Sequence, residues 1–185
     1  MNFYYELLAH NLVPVDQQNE IKLLDPAVAS TFTYLPDDYE ELHDMFGGLN
    51  LDQASLVIFP INDNTNPNVP SGGTHWSLMV MQNKNLFYYI DSANSVGYMP
   101  QGMTATAKKL LTLCNPDKDL AGAVVRDLRS IVDNLPRQEN HYDCGMYALL
   151  FTKMIIENVL KGQKIKDIDY SHLTPEKITM ARNEI

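Results

Sequence analysis

Cysteine is scarce in this chain: 185 residues hold two, Cys114 and Cys144. That excludes a disulfide-stapled scaffold and suits a reducing compartment, the cytoplasm or the nucleus. No Cys-x-x-Cys pair occurs, and the five histidines are scattered. The ligand spacing of a structural zinc site is therefore missing, and neither metal nor cofactor is expected. Cations are also outnumbered, 14 Lys and Arg against 23 Asp and Glu, a net charge of −9. With no basic stripe to track phosphate, a nucleic-acid partner is not expected. The acidic surplus serves solubility, or faces a partner with a basic surface. Long apolar runs are lacking too. The stretch from Gly145 to Phe151 is among the longest, far short of the ~18 residues of a membrane span. The start, Met1-Asn2-Phe3-Tyr4-Tyr5-Glu6, has no basic region of a secretory signal. Repeats and low-complexity tracts are absent.

What is present is globular: 45% hydrophobic and 20% charged residues, in a length suited to one domain over 1–185 with a proper core. Phe3, Tyr4, Leu7 and Leu8 fall at helical spacing, predicting a helix through Leu12 that Asn2 can cap. Val13 to Pro36 holds Pro14, Pro26 and Pro36 and is expected to be mostly loop and short elements. Asp37 should open a second helix, with Leu42, Met45 and Phe46 as its apolar face and Gly47-Gly48 as its stop. Leu56-Val57-Ile58-Phe59 is a strand, expected to close at Pro60. Asn62 to Gly73 is turn-rich. His75 to Met81 and Leu86 to Asp91 form a hairpin around Gln82-Asn83-Lys84-Asn85. An exposed helix is expected over Thr104 to Leu113, and a short strand over Ser130 to Val132. Cys144 to Leu160 is apolar nearly all round and so should be the buried spine. Thr174-Pro175 starts a last helix. Helices around a small, antiparallel central sheet make an α+β class.

Chemistry concentrates in two places. A hairpin centred on Asn83 would set His75 directly opposite Asp91, on one face. An ordinary surface His–Asp pair fits the same hairpin. Cys144 follows Asp143, a good N-cap, and opens the buried helix, where the helix's positive end favours thiolate. A buried structural cysteine is the alternative there, and it is the reading of Cys114. Six residues before Cys144 stands Gln138, whose amide could donate to an oxyanion forming on a carbonyl attacked by the thiolate. His141 is a weaker competitor as base. His10, His43 and His172 should be solvated.

Gly72-Gly73-Thr74-His75-Trp76-Ser77-Leu78, Tyr89-Ile90-Asp91-Ser92 and Gln138 through Gly145 together resemble the ubiquitin-like protease (sentrin-specific protease) family of cysteine proteases. Ile61-Asn62-Asp63-Asn64, the two glycines before Thr74-His75-Trp76, and Leu173 to Thr179 look like its deneddylase branch. The resemblance implies a papain-like fold of the ubiquitin-like protease type around the helix at Cys144. It implies Cys144 as nucleophile, His75 as base, Asp91 as the orienting carboxylate and Gln138 as oxyanion donor. It further implies a narrow channel for a Gly-Gly tail, with Trp76 as one wall and Gly73, Asn140 and Gly145 beside it. A core aromatic is the other reading of Trp76. The loop with Asn64, Asn66 and Asn68 would act as a lid. The family's Trp-Leu-Asn-Asp segment before the first helix has no counterpart in this sequence.

The function so implied is hydrolysis of the bond after the C-terminal Gly-Gly of a ubiquitin-like modifier, that of the neddylation pathway, by a monomer. A sentrin-modifier or ubiquitin protease, an effector-type protease, and a non-catalytic modifier-binding module are the alternatives. An acidic sentrin-type modifier is disfavoured by the net charge of −9, since like charges repel.

Overall fold

In a computed structural model, residues 2–64, 66, 68–69, 72–93, 103–114, 124–127 and 135–184 are described. Five strands form one sheet in the order β1-β2-β3-β4-β5. They are β1 (Ile21–Leu23), β2 (Leu56–Asn62), β3 (Trp76–Gln82), β4 (Leu86–Ile90) and β5 (Val124–Asp127). The central three pair antiparallel, as expected; the two edge strands pair parallel to their neighbours. The class is α+β, with α1 (Asn2–Leu12), α2 (Pro26–Tyr34), α3 (Tyr39–Phe46), α4 (Met103–Cys114), α5 (Cys144–Val159) and α6 (Pro175–Glu184).

Helices cover both faces of the sheet. Leu56, Ile58, Leu78, Val80, Tyr88 and Ile90 share one cluster with Tyr147, Phe151 and Ile155 of α5. Their neighbours Val57, Phe59, Met79, Met81, Phe87 and Tyr89 share the other with Phe32, Leu42, Phe46 and Leu110. Successive side chains of a strand point to opposite faces, so a strand buried on both reads as an unbroken apolar run. That is why β2 shows no alternation. Each such side chain contributes about 1.5–3 kcal/mol by leaving water. α5 is indeed the spine: Phe151, Ile155 and Ile156 are all but inaccessible. Thr152 spends its hydroxyl hydrogen on the Ala148 carbonyl, 2.8 Å away, so the Tyr5 hydroxyl at 3.0 Å donates to it and ties α1 to α5.

Several boundaries differ from expectation. α2, nine residues long, lies within the stretch expected to be mostly loop and short elements. Asp25 accepts from the Ala27 N–H at 2.7 Å, and Pro26 takes the first helical position, where its missing N–H costs nothing. The proline is therefore a start signal here. α3 is capped by Asp38, which accepts from Glu41 N–H at 3.0 Å, one residue after the expected Asp37. β2 does not stop at Pro60 but runs to Asn62. The Ile58 carbonyl accepts from Leu24 N–H on the β1 side. Pro60, two residues on, aims its nitrogen to that same side, beyond the end of β1, where no strand needs a donor. α4 is not an exposed helix: Met103, Ala107, Leu110 and Leu111 are buried. Its Lys109 reaches the Thr33 carbonyl at 2.8 Å and neutralises the C-terminal end of α2. β5 was not anticipated, and the strand expected at Ser130 to Val132 lies outside the described residues.

Phe32 anchors α2, with its ring 5.0 Å from that of Phe46 and 5.6 Å from that of Phe59. Phe32→Ala should cost about 3–5 kcal/mol in urea unfolding; a loss under about 1 kcal/mol would mean that the helix is not docked through this ring.

Candidate active site

The β3–β4 hairpin places the first two site residues. Gln82 pairs with Leu86 and Leu78 with Ile90, so the turn is centred on Lys84 and not on Asn83. Asn83 and Lys84 take left-handed φ values of 51° and 62°. Continued one step, this register sets Ser77 against Asp91 and leaves His75 diagonal to it. The expectation of directly opposed partners is thus corrected by two positions. An even shift keeps both residues on one face, and a diagonal neighbour is within reach of a long side chain. His75 Nε2 lies 2.8 Å from Asp91 Oδ1.

Both partners are held from behind. Asp91 also accepts from Tyr89 Oη–H at 2.9 Å and from Ala93 N–H at 2.8 Å. Burial pushes its carboxyl up, but His75 and these donors outweigh that and hold it below the usual range. The backbone of His75 is clamped by Asp63, whose carboxylate accepts from Thr74 N–H at 2.6 Å, Thr74 Oγ1–H at 3.0 Å and His75 N–H at 2.9 Å. Asn62 Nδ2–H donates to the His75 carbonyl at 3.1 Å. Sequence reasoning used Asp63 only as part of a motif; a carboxylate at the end of a strand facing a Gly-Gly-Thr turn was its one signal. Gly73 has φ +82°, and a Cβ there would run into Asn62 Oδ1 and come within 2.6 Å of Asp63 Oδ1. A side chain at 73 would break the clamp.

Cys144 completes the group. It is 6% exposed, at the first turn of α5. Burial raises its pKa, but hydrogen bonds with His75 and with the Trp76 and Gly145 N–H groups reverse this, and the net shift is downward. His75 is raised to about 10, first by its hydrogen bond to Asp91 and then by that to Cys144. With Nε2 bound to Asp91, the other ring nitrogen is left for the thiol. The arrangement favours a thiolate–imidazolium pair. Cys114 is the contrast: burial pushes it up to about 12, and its thiol donates to the Leu51 carbonyl.

The loop before Cys144 is organised by its own amides. Gln138 Nε2–H donates to the Asn140 carbonyl at 2.7 Å, and Gln138 Oε1 accepts from Ser92 Oγ–H at 2.8 Å. Among the described residues, its second amide hydrogen has no protein partner. Asp143 occupies the N-cap position of α5, but its side chain caps nothing, contrary to expectation. The carboxylate instead takes Asn140 Nδ2–H at 2.6 Å and pairs with Arg182 of α6. Asn140 Oδ1 accepts from Tyr142 and Asp143 N–H groups, so this side chain is engaged within the loop. His141 is exposed, as are His10, His43 and His172.

A cavity of about 650 Å³ adjoins the site, lined in part by Tyr34, Asn64, Gly72, Gly73 and Trp76. Trp76 and Gly73, two of the four channel candidates, thus line a cleft; Asn140 and Gly145 lie with Cys144 outside it. The loop above is not loose at its base. Asn64, Asn66 and Asn68 N–H groups donate in turn to Asn62, Asn64 and Asn66 side chains, and Tyr34 Oη–H donates to the Asn64 carbonyl at 2.5 Å.

Residues 1–184 match the Ulp1 protease family, C-terminal catalytic domain. The chain belongs to this family of cysteine proteases. Among its relatives, NEDD8-specific protease 1 of Arabidopsis thaliana is 30% identical over 191 residues, covering 100% of this chain and 78% of that protein. Sentrin-specific protease 8 of Homo sapiens is 30% identical over 188 residues, covering 100% and 80%. Against the probable sentrin-specific protease 8 of Dictyostelium discoideum, the match is 30% over 171 residues, and the chain spans 65% of that relative's length. The fold also matches solved structures. The Xanthomonas campestris effector XopD bound to ubiquitin superposes with TM-score 0.62 at 19% identity, covering 98% of this chain and 86% of that one. The Ulp1 protease domain in complex with SMT3 gives 0.58 at 17%, covering 91% and 66%. The α+β architecture of the Ulp1 and XopD protease domains is therefore the fold of this chain.

The pair of shifts sets a pH window. A lowered thiol pKa means that the thiolate is lost only as pH falls through a value below 9.0. A raised imidazole pKa means that the imidazolium is lost as pH climbs through about 10. Iodoacetamide should therefore alkylate Cys144 at a pH where Cys114 is inert, and His75→Ala should move the midpoint upward. An unmoved midpoint would show that His75 does not stabilise the thiolate.

Proposed function

We propose that this domain hydrolyses the peptide or isopeptide bond after the C-terminal Gly-Gly of a ubiquitin-like modifier, with NEDD8 as the preferred one. The observation that carries the reading is a single imidazole 2.8 Å from a buried carboxylate, with a thiol at a helix N-terminus whose pKa that imidazole helps to lower. Cys144 Sγ⁻ attacks the carbonyl carbon of the last glycine. The oxyanion forms near the free amide hydrogen of Gln138. The His75 imidazolium gives its proton to the leaving amine as the C–N bond breaks, leaving a thioester on Cys144. Water, deprotonated by His75, then attacks the thioester; the modifier leaves as its carboxylate and the thiol returns. Asp91 keeps the ring oriented and supports its positive charge.

The tail would run along the cleft walled by Trp76 and Gly73 toward Cys144, past Asn140 and Gly145. Glycine suits such a passage because it carries no Cβ. The turn-rich segment with Asn64, Asn66 and Asn68 would close over the bound tail as a lid. NEDD8 is favoured because a relative matched over the whole chain is named NEDD8-specific protease 1, and a sentrin-type modifier is the alternative because another is named sentrin-specific protease 8. One chain supplies every named residue, so a monomer suffices. A free thiol nucleophile fits the cytoplasm or nucleus. No helix among the described residues is long and apolar enough to cross a membrane.

Cleavage of fluorophore-tailed NEDD8, sentrin-type modifiers and ubiquitin at equal concentration is the test. NEDD8 should be processed fastest. Equal or faster turnover of another modifier would reassign the substrate. Cys144→Ala should abolish turnover and retain binding; activity in that variant would overturn the mechanism. Asp91→Asn should lower kcat by about 10⁴.

A further inference from the structure

The loop from Gln138 to Asp143 joins the oxyanion donor to the nucleophile, and it is fastened at each end by a residue outside it. At one end is Ser92, 2% exposed. Its hydroxyl donates to Gln138 Oε1 at 2.8 Å, and its carbonyl accepts from Gln138 N–H at 2.9 Å. A carbonyl oxygen can only accept, so the Asn140 carbonyl, 2.7 Å from the amide, must face Nε2. That fixes which end of the Gln138 amide is the donor, and Ser92 holds the other end. At the far end is Arg182, in the last turn of α6. Its guanidinium pairs with the Asp143 carboxylate, donates to the Tyr142 carbonyl at 2.8 Å, and stacks 4.7 Å from the Tyr142 ring centre. Asn140 links the two ends, bonded to Gln138 through its carbonyl and to Asp143 through its amide. The chain Ser92–Gln138–Asn140–Asp143–Arg182 is thus continuous, and it spans elements far apart in sequence.

We propose that Ser92 and Arg182 are positioning residues for the reaction: together they pin this loop so that the free N–H of Gln138 stays aimed where the oxyanion develops. The proposal rests on the oxyanion role of Gln138. A hydrogen-bonded chain of this kind rigidifies when fully satisfied. Losing an anchor frees the amide to turn, and small misplacement of a catalytic group costs up to about 10² in rate. Arg182 cannot be replaced by Lys without loss, because one guanidinium nitrogen serves both the Asp143 carboxylate and the Tyr142 carbonyl while the flat group lies over the Tyr142 ring, and a compact ammonium cannot stack in that way.

The test is a double-mutant cycle on a modifier–fluorophore substrate. Ser92→Ala and Arg182→Ala should each lower kcat about 10–10²-fold with KM within about twofold, and Arg182→Lys should fall between. In a Gln138→Ala background, itself down about 10²–10³-fold, each of these changes should cost under about twofold, because there is no amide left to position. Arg182→Lys keeps the charge and serves the same cycle should the alanine variant not fold. Wild-type kcat for Gln138→Ala would overturn the oxyanion role and the proposal with it. A normal Gln138 effect with undiminished Ser92 or Arg182 effects on top would overturn the positioning role alone, since residues that merely support the fold would cost the same in either background. Wild-type kcat for Ser92→Ala or Arg182→Ala would do so directly.

Discussion

The site depends on one imidazole ring being held on two sides at once. His75 has to meet a carboxylate on the neighbouring strand and a thiol on a distant helix, and a ring has only two nitrogens with which to do it. Every device nearby constrains that ring. The hairpin register brings Asp91 within 2.8 Å. Tyr89 and the Ala93 N–H keep the carboxylate ionised and oriented. The Asp63 clamp fixes the backbone from which the ring projects, and Gly73 leaves that clamp its space. A polar group buried without partners is costly, so each of these bonds both supports the geometry and keeps the site compatible with folding.

The sheet explains how such a site can lie at the ends of two strands and still be rigid. Apolar side chains fill both of its faces, and α5 lies flat on one of them. The N-terminus of α5 is thereby delivered beside the ends of β3 and β4. A helix N-terminus and two strand ends are all places where backbone groups are left unpaired. The site draws on this: the N–H groups of Trp76 and Gly145 both bond the Cys144 thiol and help to lower its pKa. On the other face, α2 and its Tyr34 form a wall of the adjoining cleft and hold the loop at Asn64.

Much of this was legible in the chain. The parity of 75 and 91 put His75 and Asp91 on one face even though the turn centre was off by a residue, because an even slip preserves the face. The apolar run after Cys144 announced a buried helix, and a thiol at its start followed. The misjudged parts share a cause. Pro26 and Pro60 were read as breakers, yet a proline starts α2 and another sits inside β2. In each case the missing N–H points where no partner is needed, which depends on what lies alongside. The helix expected to be exposed over Thr104 to Leu113 carries Lys108, Lys109 and three threonines among its apolar positions, and its burial follows from the sheet that it covers.

By itself the sequence determined what depends on near neighbours: the two faces of the hairpin, the helix that begins at Cys144, and the spacing of Gln138 from the nucleophile. Only the tertiary structure decided which distant groups meet. Arg182 stands 39 residues from Asp143, and Ser92 stands 46 from Gln138. Such pairs leave no periodic trace, because their contact is set by how helices and sheet stack and not by the geometry of one element. Local pattern carries the register of a strand or the start of a helix, since hydrogen-bond spacing repeats along the chain. Where two elements touch is fixed by the packing of the whole core, and so the fastening of the loop before Cys144 appears only once that core is assembled.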